Sequence, residues 1–200
     1  KGNYSQDQHG LLRELQYSIK NQTENAGSFI KKYVAYSAIE NSKYPEKSSA
    51  RLLSWPYNFS FIKIYILTNE SLKISFEIDA EKGMPFMLGY HPAFMLNSNL
   101  DEIVKSEKQE VTITKIIKGG SNAYPILNTN EISLIKQIGY NIKLKTEGFN
   151  HFMLWTEVSN MLCIEPITAY PYTGKEMLTK ELFNISEEKN IFTVTVTPFK

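Results

Sequence analysis

Hydrophobic residues along this chain recur mostly with a period of two. Leu72, Ile74, Phe76 and Ile78 alternate with Lys73, Ser75, Glu77 and Asp79. In an extended strand, alternate side chains point to opposite faces, so this segment predicts a strand with one buried and one wet face. Phe192, Val194 and Val196 alternate with Thr193, Thr195 and Thr197 and predict a second strand of the same kind. The run 59–67 is more continuously apolar and predicts a strand buried more deeply. Asn69-Glu70 between two such runs predicts a hairpin turn. Further strands are expected over 29–39, 111–117, 141–146 and 149–156. Helical patterning is sparse: 131–138 predicts a turn or two of helix, and 44–55, with Pro45 at its start, a short helix or an irregular loop. Gly119-Gly120-Ser121 reads as a loop.

Many short strands with few helices, together with 12 Tyr and 11 Phe, predict an all-β sandwich. No internal repeat, low-complexity tract or linker divides the chain, so a single domain over 1–200 is expected. Charge changes the picture by exclusion. The 22 Lys+Arg against 21 Asp+Glu leave a net charge of +1, which supplies no long-range field for nucleic acid or an anionic membrane. No apolar run has the length of a membrane-spanning helix, and Lys1-Gly2-Asn3-Tyr4 lacks the apolar core of a signal sequence. One cysteine, Cys163, rules out an internal disulfide and fits a reducing compartment, so a cytoplasmic location is expected.

The chemistry-bearing residues are few enough to weigh singly. His91, in Gly89-Tyr90-His91-Pro92, is held extended by Pro92 at a strand end, where clefts open. It reads either as a proton donor or as a core histidine bonded to a carbonyl. Glu165, in Met161-Leu162-Cys163-Ile164-Glu165-Pro166, closes an apolar run. Partial burial there would raise its pKa toward that of a useful general base, whereas full exposure would make it a surface residue. His9 and Arg13 in His9-Gly10-Leu11-Leu12-Arg13 can hydrogen-bond hydroxyls or a phosphate, or belong to a surface segment. His151 falls on one face of a strand and reads as structural. Trp55 and Trp155 offer a stacking surface for a sugar but read first as core residues. Cys163, flanked by apolar residues, reads as an inert thiol. No metal is expected, because no two histidines or acids show close ligand spacing. No Gly-x-Ser-x-Gly elbow supports a serine nucleophile.

Taken in order, these fragments resemble the aldose 1-epimerase (mutarotase) family, in the bacterial branch that includes LacX proteins. His9-Gly10-Leu11-Leu12-Arg13 is similar to its His-Gly-x-x-Arg segment, with Leu11-Leu12 where the family usually has Phe-Ala. Met84 to Phe94 is similar to the segment around its catalytic histidine, and Cys163-Ile164-Glu165-Pro166-Ile167-Thr168 to that around its catalytic glutamate. The resemblance implies a galactose-mutarotase-like β-supersandwich. Family members carry several strands before the first motif, so this chain is expected to lack N-terminal strands. It further implies Glu165 as general base, His91 as general acid, and His9 with Arg13 as sugar-binding residues. The implied activity is interconversion of the anomers of a small-molecule aldose, without cofactor. The alternatives are a hexose-6-phosphate mutarotase, in which Arg13 and a second cation would hold phosphate, a non-catalytic sugar-binding module, and a β-sandwich interaction domain.

Overall fold

The computed structural model describes residues 9–97, 99–171 and 178–200. In chain order the strands are β1 (Ser18–Gln22), β2 (Ala26–Tyr33), β3 (Ile39–Glu40), β4 (Leu52–Leu53), β5 (Phe59–Leu67), β6 (Leu72–Ala80), β7 (Pro85–Phe86), β8 (Ala93–Met95) and β9 (Ile103–Lys105). They continue as β10 (Glu110–Thr112), β11 (Tyr124–Leu127), β12 (Glu131–Ile135), β13 (Asn141–Glu147), β14 (His151–Trp155), β15 (Met161–Ile167), β16 (Asn184–Ile185) and β17 (Lys189–Phe199). One short helix, α1 (Ile113–Ile117), follows β10, and a 3₁₀ turn spans Leu11–Arg13.

Nine strands form one large sheet in the order β1-β2-β5-β6-β17-β13-β12-β9-β10. A second sheet has the order β11-β14-β15-β8. Both are antiparallel throughout, so each strand can bury one face and wet the other. The predicted alternation of β6 and β17 is realised. Ile74, Phe76, Ile78, Phe192 and Val194 turn inward and join Leu144, Ile132, Leu134 and Val104 from the same sheet. Phe152, Leu154, Leu162, Ile164 and Ile126 of the second sheet pack onto them in one continuous core. Phe149, fully buried in the β13–β14 connection, touches Phe76 edge-on at 6.0 Å and Phe192 at 5.3 Å between ring centroids.

The turn at Asn69-Glu70 joins β5 to β6, with the Thr68 N–H donating to the Ser71 carbonyl at 2.9 Å. Four expectations need correction. The 131–138 segment is strand β12 rather than helix, because Ile132 and Leu134 are buried on one face between β13 and β9. The 111–117 segment is β10 only as far as Thr112. That side chain then accepts a hydrogen bond from the Lys115 N–H at 3.3 Å and caps α1, which buries Ile113 and Ile116. The 29–39 strand stops at Tyr33, since Tyr36 takes a φ of 62°, outside the extended region. Finally, β5 is buried only at its centre, at Phe61 and Ile62. Its end, Ile66 and Leu67, is exposed and carries no covering layer among the described residues.

Candidate active site

Strand β15 has two faces with different duties. Leu162 and Ile164 belong to the core, whereas Cys163, Glu165 and Ile167 point to the other side. Strand β14 lies beside it in a register that pairs Met153 with Glu165 and Trp155 with Cys163. On its other side the chain from Leu88 to β8 runs antiparallel to β15. Gly89 bridges Ile167, and Ala93 pairs with Cys163. Midway between those two pairs, His91 falls directly opposite Glu165.

The ladder around this pair is unusual. Tyr90 donates its N–H to the Pro166 carbonyl at 3.0 Å, and Ile164 donates to the Pro92 carbonyl at 3.3 Å. In each case the partner is a proline, which has no N–H to return the bond. His91 and Glu165 therefore form a non-hydrogen-bonded pair, the kind with the closer side chains, between two half-bonded rungs. Pro166, which follows the apolar run closed by Glu165, does not end its strand. It sits inside β15 because only one ladder bond is lost there.

The side chains meet accordingly. His91 Nε2 lies 3.1 Å from Glu165 Oε1. The imidazole is partly open to solvent while the carboxylate is nearly buried, with 36% and 11% of the side chains exposed. Burial pushes the Glu165 carboxyl up to about 7. Burial, and then the neighbouring His9, pushes the His91 imidazole down. Mutual attraction would favour a charged His91 and an ionised Glu165, and desolvation of both groups opposes it. At 3.1 Å the two groups form a dyad in which each senses the charge of the other, so their titrations are coupled.

His9 joins this pair. Its Nε2 lies 3.4 Å from His91 Nδ1, with ring centroids 5.7 Å apart. Gly10 permits the approach: at φ 65° and ψ −166° it turns the chain into the 3₁₀ turn, in a conformation that favours glycine. Arg13 ends that turn in an exposed position. Among the described contacts it meets neither His91 nor Glu165, and its field falls on Lys31. Trp155 stands edge-on to His91 with centroids 6.1 Å apart, so it belongs to the site rather than to the core. Trp55 is only partly buried and packs on Tyr57.

Cys163 is the neighbour that residue spacing does not announce. Its thiol is buried and pushed up to about 11, first by desolvation and then by Glu165. Its sulfur, a ring nitrogen of His91 and a Glu165 oxygen all lie within 4.8 Å of one another, close enough to surround one metal ion. This close ligand set arises from strand pairing, which spacing along the chain does not reveal. His151 accepts a hydrogen bond at Nδ1 from the Asn128 N–H at 3.0 Å. It also lines a shallow cavity of about 460 Å³ with Leu127, Thr168, Tyr170, Glu181 and Leu182, further along the same two strands.

An imidazole and a carboxylate face each other across strands on the outer side of the second sheet, and sequence comparison gives them a context. The family model described as aldose 1-epimerase matches residues 1–160. This chain belongs to the aldose 1-epimerase family. The matched part contains His9, Arg13 and His91, and Glu165 lies just beyond it. Among curated proteins, the plasmid and chromosomal LacX proteins of Lactococcus lactis subsp. lactis are each 27% identical over 105 residues. That stretch is 51% of this chain and 29% of each LacX protein.

The fold matches solved structures more widely. The galactose mutarotase related enzyme from Lactobacillus acidophilus superposes with a TM-score of 0.70 at 17% identity, covering 98% of this chain and 75% of that one. A Synechocystis sp. PCC 6803 protein superposes with a TM-score of 0.67 at 19% identity, covering 98% and 70%. The all-β, galactose-mutarotase-like architecture expected from the sequence is thus the one observed. Among the described residues no helix is long and apolar enough to cross a membrane.

Proposed function

We propose that this chain is a mutarotase that interconverts the α and β anomers of an aldose, with Glu165 and His91 as its acid–base pair. The observation that carries the reading is the 3.1 Å contact between His91 Nε2 and Glu165 Oε1 at directly opposed positions of neighbouring strands. Ring opening of a cyclic aldose moves two protons and breaks one carbon–oxygen bond. Glu165 takes the proton of the anomeric hydroxyl while His91 gives one to the ring oxygen. The anomeric carbon becomes an aldehyde, the first carbon–carbon bond rotates, and the transfers reverse on the other carbonyl face. Protons and electrons balance within sugar and dyad.

The dyad needs one proton in total. With that proton on His91, Glu165 is ionised and ready as base, and a donating sugar hydroxyl favours this form by hydrogen-bonding the carboxylate. Rigid placement supports the transfer, since both residues sit in paired β-structure anchored by the core. His9 at 3.4 Å from His91 Nδ1 orients the imidazole and borders the space where sugar hydroxyls would sit. Trp155 offers an apolar edge beside it.

The test is polarimetry of freshly dissolved α-galactose and α-glucose. The protein is expected to accelerate the approach to the equilibrium rotation of one or both. Glu165→Gln is expected to lower that acceleration by about 10²–10⁴-fold. An unaccelerated rotation with measurable sugar binding would instead make the chain a sugar-binding module.

A further inference from the structure

We infer that His91, Cys163 and Glu165 form a site for a thiophilic divalent cation of the zinc type, and that the bound metal shuts off the acid–base pair. Binding stands on the geometry of the three side chains. The effect on activity rests on the mutarotase reading of the same dyad.

The three donors come from two neighbouring stretches of chain. Cys163 and Glu165 are two residues apart on β15, so they share its outer face. His91 lies opposite Glu165, its position set by the Gly89–Ile167 bridge and the Ala93–Cys163 pair. The sulfur, a ring nitrogen and a carboxylate oxygen all lie within 4.8 Å of one another, and His91 Nε2 stands 3.1 Å from Glu165 Oε1. Ligand atoms around one tetrahedral zinc stand roughly 3.3–3.8 Å apart, given bonds of about 2.0–2.3 Å. Small side-chain rotations therefore close the triangle on one ion with the strand register unchanged. Ala93, opposite Cys163, adds only a methyl group on that face. The partly open imidazole of His91 gives the ion a way in from solvent.

The donor set selects the metal. Thiolate and imidazole suit zinc, whereas magnesium and calcium take oxygen ligands. Three protein ligands leave a fourth position for water. The surroundings fit as well. A histidine that binds a metal through one ring nitrogen normally donates its other N–H to a fixed acceptor. With zinc on Nε2, His91 carries its proton on Nδ1, and His9 Nε2 lies 3.4 Å from that atom as the acceptor. Trp155, edge-on to the imidazole with centroids 6.1 Å apart, restricts the ring further.

Metal binding and ring opening compete for the same lone pairs. Ring opening needs a carboxylate oxygen free to take a proton and a ring nitrogen free to give one. On coordination, bonds form from the ion to sulfur, nitrogen and oxygen. The thiol proton, and any proton held between Nε2 and the carboxylate, leave to solvent, and no electron is transferred. The dyad then has neither acid nor base, so ring opening stops while the metal is bound. Cys163 thereby gains a role that the acid–base chemistry does not require. It supplies the soft third ligand that makes a proton-transfer pair sensitive to metal.

The test is titration of the chelator-treated chain with cobalt(II), a spectroscopic stand-in for zinc, then competition by zinc and polarimetry at each zinc level. A tetrahedral cobalt spectrum with a thiolate-to-cobalt charge-transfer band is expected. Cys163 is the single cysteine of the chain, so that band has one possible source. Zinc should erase the band, and mutarotation of α-galactose and α-glucose should fall in step with zinc bound and return with EDTA. Cys163→Ala should lose the band and bind zinc at least about 100-fold more weakly. Whatever mutarotation that variant retains should ignore zinc at concentrations that silence the wild type. Absence of the band, equal zinc affinity in Cys163→Ala, or full activity of the zinc-saturated wild type overturns the inference. If Cys163→Ala does not fold, Glu165→Gln takes its place with the same loss of affinity expected, and an unchanged affinity overturns the inference. If the wild type accelerates no sugar, the mutarotase reading fails by itself. The cobalt band and its erasure by zinc then uphold the inference, and their absence overturns it.

Discussion

At the scale of the residue, Glu165 is where sequence and environment meet most directly. A carboxylate closing the run Met161–Ile164 stands out because desolvating it is unfavourable, and the structure shows that cost as a carboxyl raised from 4.5 to about 7. The consequence for stability has a definite sign. Below pH 4.5 the group is protonated in both folded and unfolded chains and contributes nothing to the pH dependence. Between 4.5 and about 7 the unfolded chain releases its proton first, so stability falls across that window and stays lower above it. Glu165→Gln removes the penalty. It is expected to gain about 2 kcal/mol relative to wild type between pH 4.5 and pH 8, after allowance for partial hydration. Urea unfolding at the two pH values checks this, and an unchanged difference would mean that the carboxyl is not raised. His91 and Glu165 were each legible as residues held at the ends of apolar runs. Cys163 was legible only as a core thiol.

At the scale of the element, alternation was readable wherever one face of a strand is wet, as in β6 and β17. It failed where tertiary contacts outvote local pattern. Glu131–Ile135 is short and mixed enough to suit helix or strand, and pairing on both sides with β9 and β13 decides for strand. Val111 and Ile113 alternate like a strand, yet Thr112 caps a helix whose next buried residue is Ile116, three positions on. The connection between β13 and β14 carries a constraint of its own. Gly148 has φ 84°, and a Cβ there would meet Phe192 Cδ1 at 2.5 Å. Gly148→Ala combines a strained backbone with overpacking against a buried ring and is expected to destabilise by about 2–4 kcal/mol. Gly139→Ala, also at positive φ but in open space, should cost only about 1–2 kcal/mol. Thermal unfolding of the two variants side by side reads the difference.

At the scale of the whole molecule, one core joins both sheets, and Phe149 is its hinge of contact between Phe76 and Phe192. Phe149→Ala is expected to cost about 3–5 kcal/mol, whereas Ile191→Ala, at a residue 55% exposed, should stay within about 0.5 kcal/mol. Denaturant midpoints measure both, and equal effects would contradict the burial. The same core holds β15 rigidly while its opposite face presents Glu165. The sequence by itself determined which segments extend, which faces are apolar, and that an imidazole and a carboxylate would sit on β-structure, because those are short-range consequences of a two-residue period and of proline chemistry. Tertiary structure alone decided that His91 faces Glu165 and that His9 and Cys163 stand beside them. Strand register is set by pairing between segments distant along the chain, and a slip of a single residue would have turned each of these side chains to the other side.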